Sequence, residues 1–185
     1  VYRAHHPVHG TVALKVMSEK HLENEGALER FEREQELLAR VQHTNVVRSY
    51  DGGIIGESPY LAMELLSGED LDATVMRRQA LEPGAVVAIL DQALAALQAV
   101  HDADVVHRDI KPSNLFVDIT AGTPRIVLVD FGIALGGGDR LTEEGRINGT
   151  PHYLSPEQVG GQDVNDPRVD VFAAGVVAYE LLSGS

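Results

Sequence analysis

The spacing of apolar and polar positions predicts four strands and one helix in the first 65 residues. Two β-rich runs flank a turn-like stretch and indicate a hairpin, and a charged, helix-favouring segment follows. Two short strand candidates then flank a predicted turn at residues 51–53. In chain order these elements span residues 1–4, 11–17, 25–41, 46–50 and 60–64. The apolar positions of the helix recur at helical spacing, at Leu28, Phe31, Leu38 and Val41.

The rest of the chain predicts a mainly helical lobe. Its strongest helix is 83–101, since Pro83 suits a first helical turn and apolar residues mark one face. That face comprises Val86, Leu90, Leu94, Leu97 and His101. A short helix, two apolar runs, a Gly-rich loop and an apolar helix lie at residues 70–78, 115–117, 126–129, 136–149 and 169–182. The predicted class is α+β, with one lobe at 1–65 and another at 66–185.

Composition excludes several kinds of protein. Hydrophobic residues make up 44% of the 185 residues, enough for a packed core. The chain has no cysteine, which excludes disulfides and thiolate metal sites. Its net charge of −13 disfavours general nucleic-acid binding. We expect no membrane-spanning segment and no signal peptide.

A polar loop at residues 107–114 is the strongest chemical signal. It is His107-Arg108-Asp109-Ile110-Lys111-Pro112-Ser113-Asn114, which fits the pattern H-R-D-x-x-x-x-N. In such a loop an Asp can accept the proton of a substrate hydroxyl while a nearby Asn reaches a metal ion. An incidental polar loop after a helix is the alternative, but it would not require so many matched positions.

A second signal, Asp130-Phe131-Gly132, begins 21 residues after Asp109. It follows a predicted strand directly, where a carboxylate can chelate Mg²⁺. Together the motifs resemble a protein serine/threonine kinase domain, most of all the bacterial Hanks type. The resemblance spans residues 1–185 and implies a bilobal kinase-like fold. It also implies ATP and Mg²⁺ as cofactors, and transfer of the γ-phosphoryl group to serine or threonine hydroxyls of proteins.

The resemblance implies a role for each matched catalytic residue. Asp109 would deprotonate the substrate hydroxyl, and Lys111 would neutralise the transferring phosphate. Asn114 and Asp130 would hold Mg²⁺. Val12-Ala13-Leu14-Lys15 matches the V-A-I-K strand, so Lys15 would position the α- and β-phosphates. Its implied partner is Glu34, although spacing alone leaves Glu29, Glu32 and Glu36 open.

The adenosine contacts follow from the same resemblance. Val1 and Ala13 would cover the adenine from above, Leu71 and Phe116 from below, and Met63 would be the gatekeeper. Backbone groups from Glu64 to Leu66 would form the hinge contacts, and Asp70 would reach the ribose. A plain core or loop role fits most of these residues equally well.

Regulatory residues are also implied. Residues 149–158 resemble the end of an activation segment, with Ser155-Pro156-Glu157 in place of Ala-Pro-Glu. Thr150 and Lys111 match the serine/threonine pattern. We hypothesise that Thr142 is autophosphorylated, in a homodimer, and then pairs with Arg108; a solvated loop residue is the alternative. Asp170 would hold the backbone of the catalytic loop, unless it is only an acid that favours a helix N-terminus.

Several features depart from the family pattern. The glycine-rich loop before Val1 and the helices after the last one are absent, which predicts a domain truncated at both ends. The last helix should then expose apolar side chains, so we expect the 185-residue chain alone to be poorly soluble or inactive. His5, His6 and His9 lie in a predicted turn, where a solvated loop is favoured over a metal site.

Two other functions remain open. One is a pseudokinase that acts as a binding module, although every polar catalytic position in view is filled. The other is a small-molecule kinase of the same fold, against which the peptide-platform-like segment 149–158 argues. A cytoplasmic location is expected, with no nucleic-acid partner.

Overall fold

The computed structural model describes residues 1–17, 27–56, 58–78, 80–130, 151–160 and 165–184. These residues form an antiparallel sheet with one helix, followed by a mainly helical part that carries a second, smaller sheet. The predicted α+β class is confirmed.

The first sheet contains four antiparallel strands in the order β1-β2-β4-β3. Their bounds are β1 Tyr2–His6, β2 Gly10–Val16, β3 Ser49–Ile55 and β4 Ser58–Glu64. Strand β2 lies between β1 and β4, and Lys15 pairs with Leu61 of β4. Residues 12–14 of β2 therefore pair with strands on both sides, whereas Lys15 and Val16 pair with β4 alone.

Helix α1, Ala27–Arg40, packs beside β3 and β4. Phe31 and Leu38 are buried as predicted, whereas Leu28 is exposed. The side-chain amide of Gln35 donates to the Tyr60 carbonyl at 2.7 Å, and this hydrogen bond connects the helix to β4.

The predicted turn at residues 51–53 is wrong, because Gly52 and Gly53 lie within β3. A Cβ on Gly52 would come within 2.6 Å of the Gln35 side chain, and one on Gly53 within 3.1 Å of the Tyr60 ring. These glycines therefore make room for neighbouring side chains rather than form a turn. The chain turns instead after Ile55, at Gly56.

The helical part contains α2 Leu71–Arg78, α3 Pro83–His101, the short α4 Pro156–Val159 and α5 Arg168–Ser183. A three-stranded antiparallel sheet, β5-β6-β7, lies beside them. Its strands are Gly68–Asp70, Leu115–Asp118 and Arg125–Leu128. Helix α3 packs against both α5 and β7.

The buried face of α3 differs from the predicted one. Val86 and Leu97 are buried as predicted, but Leu94 is exposed. Small residues at Ala93 and Ala96 occupy the closest approach to the core instead. Spacing alone cannot distinguish these faces, because alanine and leucine alternate around most of the helix.

Helix α5 is apolar on nearly all sides, and several large side chains on it are exposed. Val177 and Leu181 are buried, whereas the exposed set comprises Val171, Phe172, Tyr179 and Leu182. The predicted exposure of apolar side chains on this helix is confirmed.

Among the described helices, only α3 is long and apolar enough by composition to cross a membrane, with a mean hydropathy of 1.5. The expectation that no stretch would pass this criterion is therefore wrong. Its single full charge in the described structure is Asp91. Core helices of soluble proteins pass the same criterion, and α3 contributes five buried residues to the core.

Candidate active site

The loop between α3 and β6 is held by one buried carboxylate. Asp170, near the start of α5, is fully buried and accepts the backbone N–H groups of His107 at 2.8 Å and Arg108 at 2.7 Å. The Nε2 atom of His101 lies 2.8 Å from the same carboxylate. Arg108 has a φ of 67°, a left-handed conformation that costs energy in a residue with a side chain. These hydrogen bonds to the carboxylate stabilise that strained backbone.

This geometry is the one that the resemblance implied for Asp170. Asp170 lies in the first turn of α5, but an acid that only favoured the helix N-terminus would not also accept the N–H groups of residues 107 and 108. His101 was predicted only as part of an apolar face, so its polar role was missed. No local pattern signals a pair separated by 69 residues.

Asp109 lies between a cation and an amide. Lys111 Nζ lies 2.7 Å from Asp109 Oδ2, and Asn114 Nδ2 donates to the same oxygen at 3.0 Å. Asn114 Nδ2 also donates to the Asp109 carbonyl at 2.7 Å. The two side chains fix one carboxylate oxygen, Oδ2, whereas Oδ1 accepts no hydrogen bond from the described residues.

Lys15 forms an ion pair across the two lobes. Its Nζ lies 2.8 Å from Oδ1 of Asp130, the residue that follows β7 after Val129. Asp130 has a φ of 51°, and the preceding Val129 N–H donates to the Asn114 carbonyl at 3.0 Å. The backbone contact places the Asp130 and Asn114 segments side by side.

His107 is buried beside this loop, and burial lowers its pKa. The nearby carboxylates of Asp170, Asp109 and Asp130 oppose that effect. Its Nδ1 accepts the Asp109 N–H at 3.3 Å, which needs an unprotonated nitrogen. The neutral imidazole thus orients the backbone of Asp109.

The segment that resembles the end of an activation segment also contacts the loop. Ser155 begins α4 with a capping box, in which its hydroxyl accepts the Gln158 N–H and its N–H donates to Gln158 Oε1. Gln158 Nε2 also donates to the Arg108 carbonyl at 3.4 Å. The Tyr153 hydroxyl donates to Glu180 of α5 at 2.5 Å, and burial raises its pKa.

The residues predicted to contact adenosine lie near the segment that connects the two lobes. Ala13 and Met63 are buried partners in the β2–β4 register, Leu71 is fully buried, and Phe116 pairs with Asp70. Val1 precedes β1 and is exposed.

Two residues that were predicted to contact adenosine through polar groups use those groups in contacts within the protein. Asp70 Oδ1 accepts the Ala73 N–H at 2.8 Å and so caps α2. The Glu64 N–H donates to the Arg48 carbonyl at 2.9 Å and is therefore not available to a ligand. In the described part of the chain, by contrast, the N–H groups of Leu65 and Leu66 donate no hydrogen bond.

An ionic cluster that was not predicted from the sequence contacts the segment that connects the two lobes. Arg125 on β7 contacts Glu64 at 2.7 Å and Asp118 at 2.8 Å. Asp118 also accepts the Ser67 N–H at 2.9 Å. Burial disfavours its ionised form, but hydrogen bonds from Thr120, Ser67 and Arg125 outweigh burial and lower its pKa to about 2.

Several predicted residues lie outside the described part of the chain. They are Phe131, Gly132, Thr142 and Thr150, together with the side chain of Glu34, whose backbone belongs to α1. Arg108 is described, and its Nη2 donates to Asn165 at 3.1 Å.

No group of three or more His, Cys, Asp or Glu side chains suited to a metal ion exists among the described residues. His5 and His6 lie in β1 rather than in the predicted turn, and only His9 lies in the turn. The rings form contacts: His6 with His9, and His9 with Tyr50. A two-ligand Mg²⁺ site at Asp130 and Asn114 remains compatible, since Mg²⁺ typically keeps several waters and uses substrate phosphates. Asn114 Nδ2 faces Asp109, which leaves its Oδ1 for a cation.

Known proteins are similar to this chain in sequence. A family model described as protein kinase domain matches residues 1–185. Serine/threonine-protein kinase PknL of Mycobacterium tuberculosis is 42% identical over 175 residues, covering 94% of this chain and 43% of the relative. Serine/threonine-protein kinase pkn3 of Myxococcus xanthus is 39% identical over 180 residues, covering 94% of this chain and 33% of the relative.

A solved structure matches as well. The crystal structure of the Mycobacterium tuberculosis PknI kinase domain has a TM-score of 0.80 and 32% identity, covering 100% of this chain and 68% of that one. The chain thus spans less than half the length of the curated relatives named above. The full-length match to the family model, with the catalytic loop and Asp130 placed as described, shows that this chain belongs to the protein kinase domain family.

Proposed function

We propose that the protein transfers the γ-phosphoryl group of ATP to serine or threonine hydroxyls of protein substrates. The observation that carries the proposal is the arrangement at Asp109, where Lys111 and Asn114 fix one carboxylate oxygen. The other oxygen is then oriented to accept the proton of an incoming hydroxyl. The relatives' names, which describe serine/threonine-protein kinases, support the same reaction.

The remaining chemistry is positioning and charge stabilisation. Lys111 lies close enough to Asp109 to meet the phosphate as charge develops on it. Lys15 is paired with Asp130 in this structure. Asp130 would hold the metal through its carboxylate, and Lys15 would position the α- and β-phosphates of the nucleotide. Glu34 is proposed to brace Lys15 in that role.

Asp130 and Asn114 are the residues that would hold Mg²⁺. The metal supplies positive charge that stabilises the transferring phosphate. Asp130 offers a carboxylate at the end of a strand, and Asn114 offers an amide oxygen from the neighbouring segment, whose backbone is bonded to Val129. Both are hard oxygen ligands of the kind that Mg²⁺ prefers.

The nucleotide base is proposed to bind at the join between the lobes. The N–H groups of Leu65 and Leu66 are available there, beside the buried Ala13 and Met63. A cytoplasmic location belongs to the same proposal, since ATP is the phosphoryl donor. Thr142 and Thr150 are proposed regulatory positions, and a homodimer is the proposed arrangement for autophosphorylation.

Substrate class provides the test. Purified full-length protein is incubated with γ-labelled ATP and Mg²⁺ and with one acceptor at a time: a serine/threonine peptide mixture, the same peptides with tyrosine acceptors, or an aminoglycoside alcohol. We expect label on the serine/threonine peptides alone. Labelling of the aminoglycoside instead would indicate a small-molecule kinase. Nucleotide binding without transfer to any acceptor would indicate a pseudokinase, and either outcome would contradict the proposal.

A further inference from the structure

The segment 64–67, which contains the predicted hinge residues and is here called the hinge, is fixed at both ends by one ionic cluster. At its first end, the side chain of Glu64 lies 2.7 Å from Arg125. At its second end, the Ser67 N–H donates to Asp118 at 2.9 Å. Arg125 and Asp118 contact each other at 2.8 Å. The two ends of the hinge are therefore joined through a single Arg–Asp pair on β6 and β7.

Arg125 uses its guanidinium in three directions. Its Nε faces Asp118, its Nη2 faces Glu64, and its Nη1 donates to the Thr44 carbonyl at 2.7 Å. Thr44 belongs to the connection after α1, so Arg125 ties this connection and the end of β4 to the second lobe. A planar guanidinium can make these directed contacts together, whereas a lysine ammonium cannot reproduce the fork.

The partners of Arg125 are themselves held. Glu64 Oε1 accepts the Arg48 N–H at 2.9 Å, which orients the carboxylate that Arg125 contacts. Asp118 is almost fully buried and also accepts hydrogen bonds from Thr120. Burial would lower the pKa of Arg125, but hydrogen bonds to Asp118 and Glu64 outweigh it and raise that pKa. The cluster is thus a fully paired, partly desolvated network rather than a surface ion pair.

The side chains of Leu65 and Leu66 pack against the hydrophobic core. A cavity of about 500 Å³ lies against the cluster, lined in part by Val41, His43, Tyr50, Glu64 and Arg125. The ionic contacts therefore hold the ends of the hinge where Glu64 and Arg125 border open space, and they act in addition to the packing of Leu65 and Leu66.

We propose that Arg125 is a positioning residue for the nucleotide, which preorganises the hinge so that the N–H groups of Leu65 and Leu66 meet the adenine. This inference rests on the proposed function, because it assumes that a nucleotide binds at the hinge. Removing Arg125 should weaken nucleotide binding in the ground state and the transition state alike. Such a change raises the KM for ATP and leaves kcat unaltered.

The test replaces Arg125 in the full-length protein. Arg125→Met keeps the aliphatic stem and removes the donors, while Arg125→Lys keeps a charge without the fork. The Kd for ADP and the KM and kcat for ATP are measured well below the unfolding temperature. For Arg125→Met we expect Kd and KM to rise about tenfold with kcat unchanged, the size of a typical coupling between sites. Arg125→Lys should give an intermediate rise.

Arg77→Met is the matched control. Arg77 contacts Glu69 within the helical lobe, and neither residue belongs to the hinge. We expect its Kd and KM to match those of the parent protein. If Arg125→Met changes only the melting temperature, or lowers kcat while Kd stays constant, the inference is wrong.

The outcomes also separate this inference from the function on which it rests. A parent protein that binds no ADP would contradict the proposed function itself. A parent protein that binds ADP, with an Arg125→Met variant that binds it equally well, would overturn the role of Arg125 alone. If Arg125→Met does not fold, the Kd of Arg125→Lys decides the question.

Discussion

Two lysine–carboxylate pairs define the state of the site in this structure. Lys15 pairs with Asp130 across the lobes, and Lys111 pairs with Asp109 within the catalytic loop. In each pair the lysine compensates a carboxylate that the proposed reaction requires. These contacts hold both carboxylates in defined positions, as catalysis by preorganised charges requires.

His107 gives a prediction for the dependence of stability on pH. Burial lowers the pKa of His107 in the folded protein, whereas the unfolded chain has the ordinary histidine pKa of about 6.5. As pH falls below that value, the unfolded state takes up the proton more readily than the folded state. This part of the stability is therefore present above pH about 6.5 and is lost as the solution becomes more acidic.

Urea unfolding of the parent protein and of His107→Asn at several pH values between 5 and 8 measures this effect. The free energy of unfolding should fall more steeply with acid in the parent protein than in the variant. His152→Asn is the control, because His152 is exposed. Identical pH profiles for the parent protein and His107→Asn would contradict the prediction.

Residues inside a motif, and Asp170 through the family resemblance, could be predicted from the sequence, whereas long-range contacts that no motif carries could not. Asp109, Lys111 and Asn114 lie within eight positions of chain, so their spacing alone brings them together. The Arg125–Glu64 contact joins residues 61 positions apart. It depends on how β7 approaches the end of β4, which is a property of packing. For the same reason, the contact between His101 and Asp170 could not be predicted from the sequence.

At the scale of elements, apolar periodicity located most helices and strands, but glycine was misread in β3. The sequence interpretation treated Gly52 and Gly53 as a turn, whereas close approach by Gln35 and Tyr60 requires them inside a strand. Helix α3 was predicted with its observed bounds because Pro83 fixes its start. A pair of glycines can indicate either a turn or a close approach of side chains to a strand, and only the packed structure distinguishes the two.

Gly68, the first residue of β5, provides a prediction at this scale. It has a φ of 146°, and a Cβ there would come within 2.0 Å of the Val117 carbonyl oxygen. Both strands would have to move apart, so Gly68→Ala should lower the free energy of unfolding by about 2 kcal/mol. Chemical denaturation of the full-length protein measures the change.

Gly84→Ala is the control for that experiment. Gly84 lies near the start of α3, and a Cβ there meets no atom within 4 Å. Alanine favours the helix over glycine, so the substitution should be neutral or stabilising by up to about 1 kcal/mol. Equal effects of the two substitutions would show that the approach of β5 to β6 is not tight.

At the scale of the whole molecule, the chain combines a net charge of −13 with exposed apolar side chains on α5. Tyr179 is 68% exposed and Val171 is 54% exposed. We expect the 185-residue chain alone to self-associate through this helix, because apolar patches on monomers are seldom so extensive. Light scattering coupled to gel filtration should show oligomers, which Val171→Ser combined with Tyr179→Ser reduces. A monodisperse monomer would contradict this expectation.

The central claim is that Asp109 accepts the proton of a protein hydroxyl during phosphoryl transfer from ATP. It is tested most directly by kcat for a serine/threonine peptide, measured with the full-length protein and with its Asp109→Asn variant. The matched control is Asp91→Asn, since Asp91 is exposed on α3 and makes no side-chain hydrogen bond in the described part of the chain. We predict that Asp109→Asn lowers kcat by about 10²–10⁴-fold and leaves the Kd for ADP unchanged, while Asp91→Asn alters neither. A kcat for Asp109→Asn close to that of the parent protein would contradict the account.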